Sequence, residues 1–114
     1  MFAADCQARV AFDLLAGTWN AVVLHTLRTG PQRPAELRAR IGGISPKVLH
    51  ETLRRLEFSG LLERRAYAAA PPRVEYGLTE LGRSLLGPIE AMATWAYAHA
   101  DEVLAAQERG EASA

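Results

Sequence analysis

The side chains best suited to chemistry in this sequence are cations spaced along one predicted helix. Lys47 and Arg54 lie roughly opposite its apolar stripe, and His50 lies on the flank. Ser45 precedes the helix, where its hydroxyl can cap a backbone amide and lie near a phosphate. Arginine can bond both acceptor atoms of a guanine edge in the major groove. We therefore predict that Lys47, His50 and Arg54 reach base edges of DNA, with Ser45 near a phosphate.

The helix that carries these cations has a clear start, a buried face and an end. Pro46 occupies its first position, where a missing N–H costs nothing. Leucines at positions 49, 53 and 56 recur at intervals of four and three residues, which predicts one stripe that packs on a core. Gly60 can adopt positive φ and end the helix. Arg55 lies closer to the core-flanking side and is expected to pair with Glu51.

A basic hairpin is predicted directly after this helix, with strands near residues 61–67 and 73–79. In the second strand, Val74, Tyr76 and Leu78 fall on one face, and the residues between them fall on the other. The segment that joins the strands contains two prolines, which suit a loop or a sheet edge. Helix, tight turn and basic hairpin together predict a winged helix-turn-helix.

Three arginines of the hairpin are candidates for contacts with phosphates or the minor groove: Arg64, Arg65 and Arg73. Because neighbouring residues of a strand point to opposite sides, Arg64 and Arg65 cannot both face DNA. One of them is expected to be structural, paired with Glu63 or Glu75. Arg73 and one member of the pair are therefore the favoured contacts.

The remaining elements are predicted to be helical, so the fold class is mainly α with a small β-hairpin (α+β). Helices are expected near residues 5–15, near 19–29 with Thr18 as N-cap, and near 34–41 before a pair of glycines. After the hairpin, Thr79 can cap a further helix. Gly87-Pro88 is expected to interrupt it before a last, alanine-rich helix.

Length and charge distribution bound the domain organisation. At 114 residues the chain supports one domain, predicted to span 1–114 with a DNA-binding core at about 28–79. The net charge is zero, yet residues 28–75 carry 10 Lys+Arg and 5 Asp+Glu, a balance of +5. The rest of the chain carries −5. This asymmetry favours a molecule with one phosphate-facing side, on which Arg33 and Arg38 are secondary candidates.

The two ends of the chain are expected to form dimerisation helices, at 4–16 and 88–106, because an amphipathic terminal helix without a core to cover usually contacts another subunit. No apolar run approaches the roughly 20 residues of a membrane span, and the first residues lack a signal-peptide pattern. The expectation is a cytoplasmic protein with no membrane partner.

Other chemistry is sparse. The single cysteine, Cys6, is either a small buried residue or a reactive thiol, and Arg9 could favour its thiolate. Cys6 and the three histidines are isolated from one another and lack the spacing of a zinc site, so no metal and no cofactor are predicted. The sequence contains no Gly-rich phosphate loop, no paired-carboxylate site and no nucleophile with a nearby base. We therefore expect no enzymatic activity.

Several phrases resemble the HxlR-type family of bacterial winged-helix transcription regulators, within the broader MarR-like group. They are GTWNAVVLHTL, ISPKVL, LRRLE, GLLERRAY and PPRVEYGLT, and the resemblance covers about residues 6–95. The resemblance implies a homodimer that binds an operator as a repressor or activator. Some members respond to small reactive molecules, which makes Cys6 a candidate sensor of oxidants or electrophiles.

Two functions are therefore compatible with the sequence. The first is a sequence-specific regulator that binds double-stranded DNA at an inverted repeat, with a small-molecule effector as a candidate further partner. The second is a protein-interaction module that uses the winged-helix shape without binding DNA. Such modules usually lose the basic residues of helix and wing, whereas this chain retains them, and salt-insensitive binding would favour the second function.

Overall fold

The computed structural model of the chain describes residues 7–113, with side chains to residue 112. A short 3-10 turn, Leu27–Thr29, follows the second helix. The helices and strands in chain order are α1 (Gln7–Ala16), α2 (Asn20–Thr26), α3 (Pro34–Ile41), α4 (Pro46–Phe58), β1 (Leu62–Tyr67), β2 (Arg73–Leu78), α5 (Glu80–Ser84) and α6 (Leu86–Ser113). Mainly helical structure with one antiparallel hairpin confirms the predicted winged helix-turn-helix fold.

Helices α3 and α4 form the helix-turn-helix, and local sequence explains both ends of the turn. Gly42 and Gly43 both have positive φ, which ends α3 sharply. Ser45 then caps α4, because its Oγ accepts a hydrogen bond from the Val48 amide at 3.1 Å. The predicted stripe is buried, since the leucines of α4 are at most 1% exposed. The opposite face of α4 is left to solvent.

Strands β1 and β2 form the hairpin, which we call the wing (residues 62–78). Their antiparallel register pairs Arg64 with Tyr76 and Arg65 with Glu75. Alternation along the strands gives the wing an inner face, which contributes to the core, and an outer face. The inner face carries Leu62, Arg64, Ala66, Val74, Tyr76 and Leu78, and the outer face carries Glu63, Arg65, Tyr67, Arg73, Glu75 and Gly77.

A third segment extends the wing's sheet by one bridge that the sequence did not predict. Gln32 pairs with Tyr76 through two backbone hydrogen bonds of 2.9 Å each. The Gln32 side chain is buried, and its Nε2 donates to the carbonyl of Thr26 at 2.9 Å. The segment before α3 is thereby attached to the wing.

The core lies between α2, α3, α4 and the inner face of the wing. Its members are Val23, Leu24, Leu27, Leu37, Ile44, Leu49, Leu53, Leu56, Leu61, Leu62, Tyr76 and Ile89. The Thr79 hydroxyl caps α5 as predicted, accepting from the Gly82 amide at 3.0 Å. A Cβ at Gly82 would lie 2.2 Å from the Leu61 carbonyl oxygen, so this close approach of α5 to the residue before β1 requires glycine.

Two predicted boundaries were wrong. Thr18 does not cap α2; the N-cap position belongs to Trp19, which makes no side-chain cap. Gly87-Pro88 does not interrupt the last helix but lies in the first turn of α6, where proline needs no amide partner. The chain instead breaks at Leu85, and α6 continues for 28 residues to Ser113.

Among residues 7–113, no single helix is both long and apolar enough to cross a membrane. One bent pair, Gln7–Ala16 with Asn20–Thr29, meets the length and composition criteria at an angle of 82°.

Candidate nucleic-acid interface

Helix α4 presents a cationic face to solvent. Lys47, His50 and Arg54 are all exposed on it, as their spacing predicted. Within the part of the chain that the structure describes, none of these side chains forms an ion pair or a hydrogen bond that would neutralise it. Ser45, at the start of α4, uses its oxygen as an acceptor for the cap and keeps its O–H available as a donor. This face can therefore donate several hydrogen bonds to an anion.

Arg64 belongs to the same surface, although it comes from β1. It lies directly across the ladder from Tyr76. Because both backbone groups of Tyr76 bond to Gln32, this is a non-hydrogen-bonded pair, in which side chains lie closer together. Arg64, Tyr76, His50 and Arg54 line one cavity of about 300 Å³, together with Glu57. The wing and α4 thus bring two arginines and a histidine to one place.

The neighbouring Arg65 is on the outer face, where it is bound to a carboxylate. Both its Nε and its Nη2 donate to the Glu63 carboxylate, with 2.9 Å for the Nε bond. The hydrogen bond to Glu63, followed by the charge of Glu63 and a hydrogen bond to Tyr67, raises the pKa of Arg65. The opposite orientation of Arg64 and Arg65 was predicted and is confirmed, and so is the pairing of one of them with Glu63.

Arg73 also lies on the outer face, at the outermost pair of the ladder. Its guanidinium carbon is 4.8 Å from the centre of the Tyr67 ring, a cation–π contact. Its Nε is 3.9 Å from a carboxylate oxygen of Glu75, so this ion pair is loose. Arg73 therefore does not share a face with Arg64, and any contact it makes to DNA comes from the wing tip.

Arg33 and Arg38, the two secondary candidates, also differ in whether a carboxylate pairs with them. Arg33 is paired, because its Nε lies 3.2 Å from Glu36 and its backbone N–H donates to the same carboxylate at 2.9 Å. The backbone bond first, and the side-chain bond second, lower the pKa of Glu36. Arg38 is exposed and without a partner in the described chain. It lines a second cavity of about 190 Å³ together with His50 and Tyr76.

Arg55 has a structural partner, but not the expected one. Its Nη2 donates to Oδ1 of the buried Asn20 at 3.2 Å, and not to Glu51. Asn20 in turn donates from Nδ2 to the Leu14 carbonyl at 2.7 Å. Arg55 therefore connects α4 to α2 and to the end of α1.

Cys6 lies outside the described residues, so its role as a sensor stays a prediction. Residues 7–113 contain no group of three His, Cys, Asp or Glu side chains that could hold a metal ion.

The sequence predictions missed Tyr76 as a site residue. Alternation placed it correctly on the buried face of β2, but a buried aromatic residue is normally read as core. Gln32 was missed as well, because a single bridge leaves no periodic signal. A polar residue just before the helix-turn-helix was its one visible sign.

Comparisons with known proteins agree with the fold. The model of the HxlR-like helix-turn-helix family matches residues 14–103. The chain is 39% identical over 108 residues to the HTH-type transcriptional regulator YtfH of Escherichia coli K12, covering 95% of this chain and 86% of YtfH.

Two solved structures are similar along almost their whole length. The putative transcriptional regulator YtfH from Salmonella typhimurium superposes with a TM-score of 0.78 at 37% identity, covering 95% of this chain and 96% of that one. The redox regulator HypR in its reduced form gives a TM-score of 0.81 at 30% identity, covering 88% and 99%.

Proposed function

The chain belongs to the HxlR-like helix-turn-helix family, and from this membership we propose that it is a DNA-binding transcriptional regulator that acts as a homodimer on an inverted-repeat operator. The observation that carries the proposal is the concentration of unpartnered cations around α4. Lys47, His50 and Arg54 on the helix, and Arg64 beside it, have no ion-pair partner in the described chain. Unpaired cations on a helix that fits the major groove are available both to phosphates and to base edges.

The proposed interface divides by role. Lys47, His50 and Arg54 read base edges from α4, while Ser45 and Arg38 bind backbone phosphates near its start. Arg64 contacts a phosphate at the side of the groove, and Arg73 reaches the duplex from the wing tip. Arg33 and Arg65 contribute less, because each already bonds a carboxylate.

The first test is selection of bound DNA from a random pool, which reports symmetry and half-site spacing together. A dimer with two-fold symmetry should recover an inverted repeat with half-sites about 34 Å apart. On the selected operator, Arg54→Ala should weaken binding by about tenfold while affinity for random DNA changes little. Arg83→Ala, which removes the same charge from an exposed position of α5, is the matched control. Equal loss on operator and random DNA would contradict a base-reading role for Arg54.

The dimer is proposed from the apolar side chains that α1 and α6 leave exposed. No residue of α1 is buried, and Val10 and Phe12 are 61% and 55% exposed. On α6, Trp95 is 57% exposed and Leu104 is 55% exposed. A helix of 28 residues is about 42 Å long, more than one small domain needs to cover its core. A second copy that pairs through α1 and α6 would bury these side chains.

The oligomeric state can be measured by sedimentation equilibrium. Leu104→Glu places a charge in the proposed interface and should shift the protein toward monomer. Ala39→Glu adds the same charge at an exposed position of α3, outside the proposed interface, and should leave the dimer intact. A wild-type monomer at concentrations that saturate the operator would refute the dimer.

We propose a sensor role for Cys6 on narrower grounds, namely the family resemblance and the similarity to HypR, which is named a redox regulator. Intact-mass analysis after mild alkylation of the native protein tests it, with Cys6→Ser as control. An adduct that also changes operator affinity is expected, and absence of an adduct would end the idea.

The alternative, a winged-helix module for protein contacts, makes the opposite prediction for salt. DNA binding through the unpaired Lys47, Arg54 and Arg64 should weaken steeply as salt rises. Binding of a protein partner that is indifferent to salt, with no DNA recovered from the pool, would favour the alternative.

A further inference from the structure

Tyr76 is buried like a core residue and yet has an unpartnered hydroxyl. Its exposed fraction is 4%, and its ring belongs to the core cluster. In the described chain the hydroxyl makes no hydrogen bond. The one fully buried side-chain polar atom without a partner in that region is Gln32 Oε1, so the Tyr76 hydroxyl must keep contact with solvent. A buried tyrosine usually bonds its hydroxyl within the protein, whereas this hydroxyl is left to water or to a partner from outside.

The surroundings of Tyr76 define what that partner must be. Tyr76 lines two cavities beside α4, one of about 300 Å³ and one of about 190 Å³. Arg54 and Arg64 line the first, Arg38 lines the second, and His50 lines both. The one carboxylate among the lining residues is Glu57. The surface around the tyrosine is therefore rich in donors and positive charge.

We propose that Tyr76 and Arg64 form a binding site for one phosphate-type oxyanion, in which the tyrosine hydroxyl donates to an anionic oxygen that the Arg64 guanidinium neutralises. This inference rests on the proposed function for its location and adds a residue that no cationic pattern identifies. The site lies between α4 and the wing, beside the face of α4 that the proposed function assigns to the major groove.

The geometry makes Tyr76 the rigid member of this site. Its backbone N–H and C=O are both held by Gln32 at 2.9 Å, and its ring is packed among leucines. The exposed arginines beside it lose rotamer freedom when they bind an anion, whereas the tyrosine is already ordered. A fixed neutral donor between mobile cations can therefore determine where the anionic oxygen binds.

Tyr76→Phe is the decisive variant, because it removes one oxygen and keeps the ring. The lost hydroxyl has no partner within the described chain, so the melting temperature should be unchanged. Affinity for duplex DNA should fall about tenfold, the effect of losing one hydrogen bond to a charged group. Tyr97→Phe, at a 91% exposed position on α6, is the matched control and should change neither quantity.

The same oxyanion chemistry has two sources, a DNA phosphodiester and a free phosphate, and the second arm separates them. Inorganic phosphate is titrated into wild-type and Tyr76→Phe protein without DNA, and the arginine side-chain NMR signals are followed. Loss of DNA affinity without phosphate binding identifies the DNA backbone. Saturable phosphate binding that Tyr76→Phe weakens identifies a free phosphorylated ligand.

If Tyr76→Phe changes neither DNA affinity nor phosphate binding, the inference is overturned. The proposed function is still supported in that case if Arg54→Ala weakens binding to the operator. If the wild-type protein binds no DNA, the proposed function fails, and the phosphate titration alone decides the inference.

Discussion

Both faces of the wing carry arginine, but the arginines of the outer face are paired and the arginine of the inner face is not. On the outer face, Arg65 is bonded to Glu63, and Arg73 lies over Tyr67 and near Glu75. On the inner face, Arg64 has no ion-pair partner in the described chain and lies across from Tyr76, beside α4. A count of arginines would treat these positions as equal. Their availability to DNA differs, because both carboxylates of the wing, Glu63 and Glu75, lie on the outer face and pair with its arginines.

The unpaired arginine is available to attract DNA, whereas the paired arginines mainly stabilise the hairpin. A paired arginine must give up a carboxylate before it binds a phosphate, so its net gain is small. An unpaired arginine gives up only water. We therefore expect DNA affinity to depend on α4 and the inner face, with the outer face supplying mainly the shape of the hairpin.

The largest expected difference is between adjacent arginines. Arg64→Ala should weaken DNA binding by about tenfold and reduce the slope of log K against log salt by about 0.9, the value for one phosphate. Arg65→Ala removes the same charge one residue away and should change affinity by less than about twofold. Mobility-shift titrations at several salt concentrations measure both. Equal losses for the two variants would remove the distinction between the faces.

A gain of affinity would sharpen the same comparison. Glu63→Gln removes the carboxylate that occupies Arg65, so a free cation should appear on the outer face. Binding to operator and random DNA should then tighten together, by about threefold. Glu102→Gln removes the same charge from α6 and serves as the control. If Glu63→Gln binds no more tightly than the control, the ion pair is not what limits Arg65.

The smallest effect concerns Arg33 and the cap of α3. The bonds from Arg33 hold the pKa of Glu36 below its ordinary value, so the ionised carboxylate stabilises the fold at neutral pH. That contribution is lost as the pH falls through the lowered pKa. Glu36→Gln keeps an acceptor for the Arg33 amide but removes the charge.

Melting curves from pH 7 downward test this cap. The wild type should melt slightly higher than Glu36→Gln at neutral pH. The difference should begin to shrink near pH 4.5, the ordinary pKa of the carboxyl, and vanish once the pH is below the lowered pKa. A difference that persists in acid would show that the charge on Glu36 is not its source. Arg33→Ala should alter DNA affinity by less than about twofold.

Local patterns in the sequence were sufficient for much of the fold. The leucine stripe of α4, the Ser45 cap and the alternation of β2 depend on residues a few positions apart, and each was confirmed. The same local view failed at Thr18 and at Gly87-Pro88. The boundaries of α2 and α6 depend on how these helices pack on the core, and the preferences of single residues do not predict that packing.

The sequence by itself determined which residues are cationic, which face of α4 is apolar and which strand neighbours must diverge, because backbone geometry dictates these relations. The tertiary structure alone decided which cations stay free. Arg64 is available and Arg33 is not because register and capping bring carboxylates to some arginines and leave others at open surface. Packing likewise decided that the Tyr76 ring is buried while its hydroxyl faces solvent, since no periodic pattern records where the end of a side chain emerges.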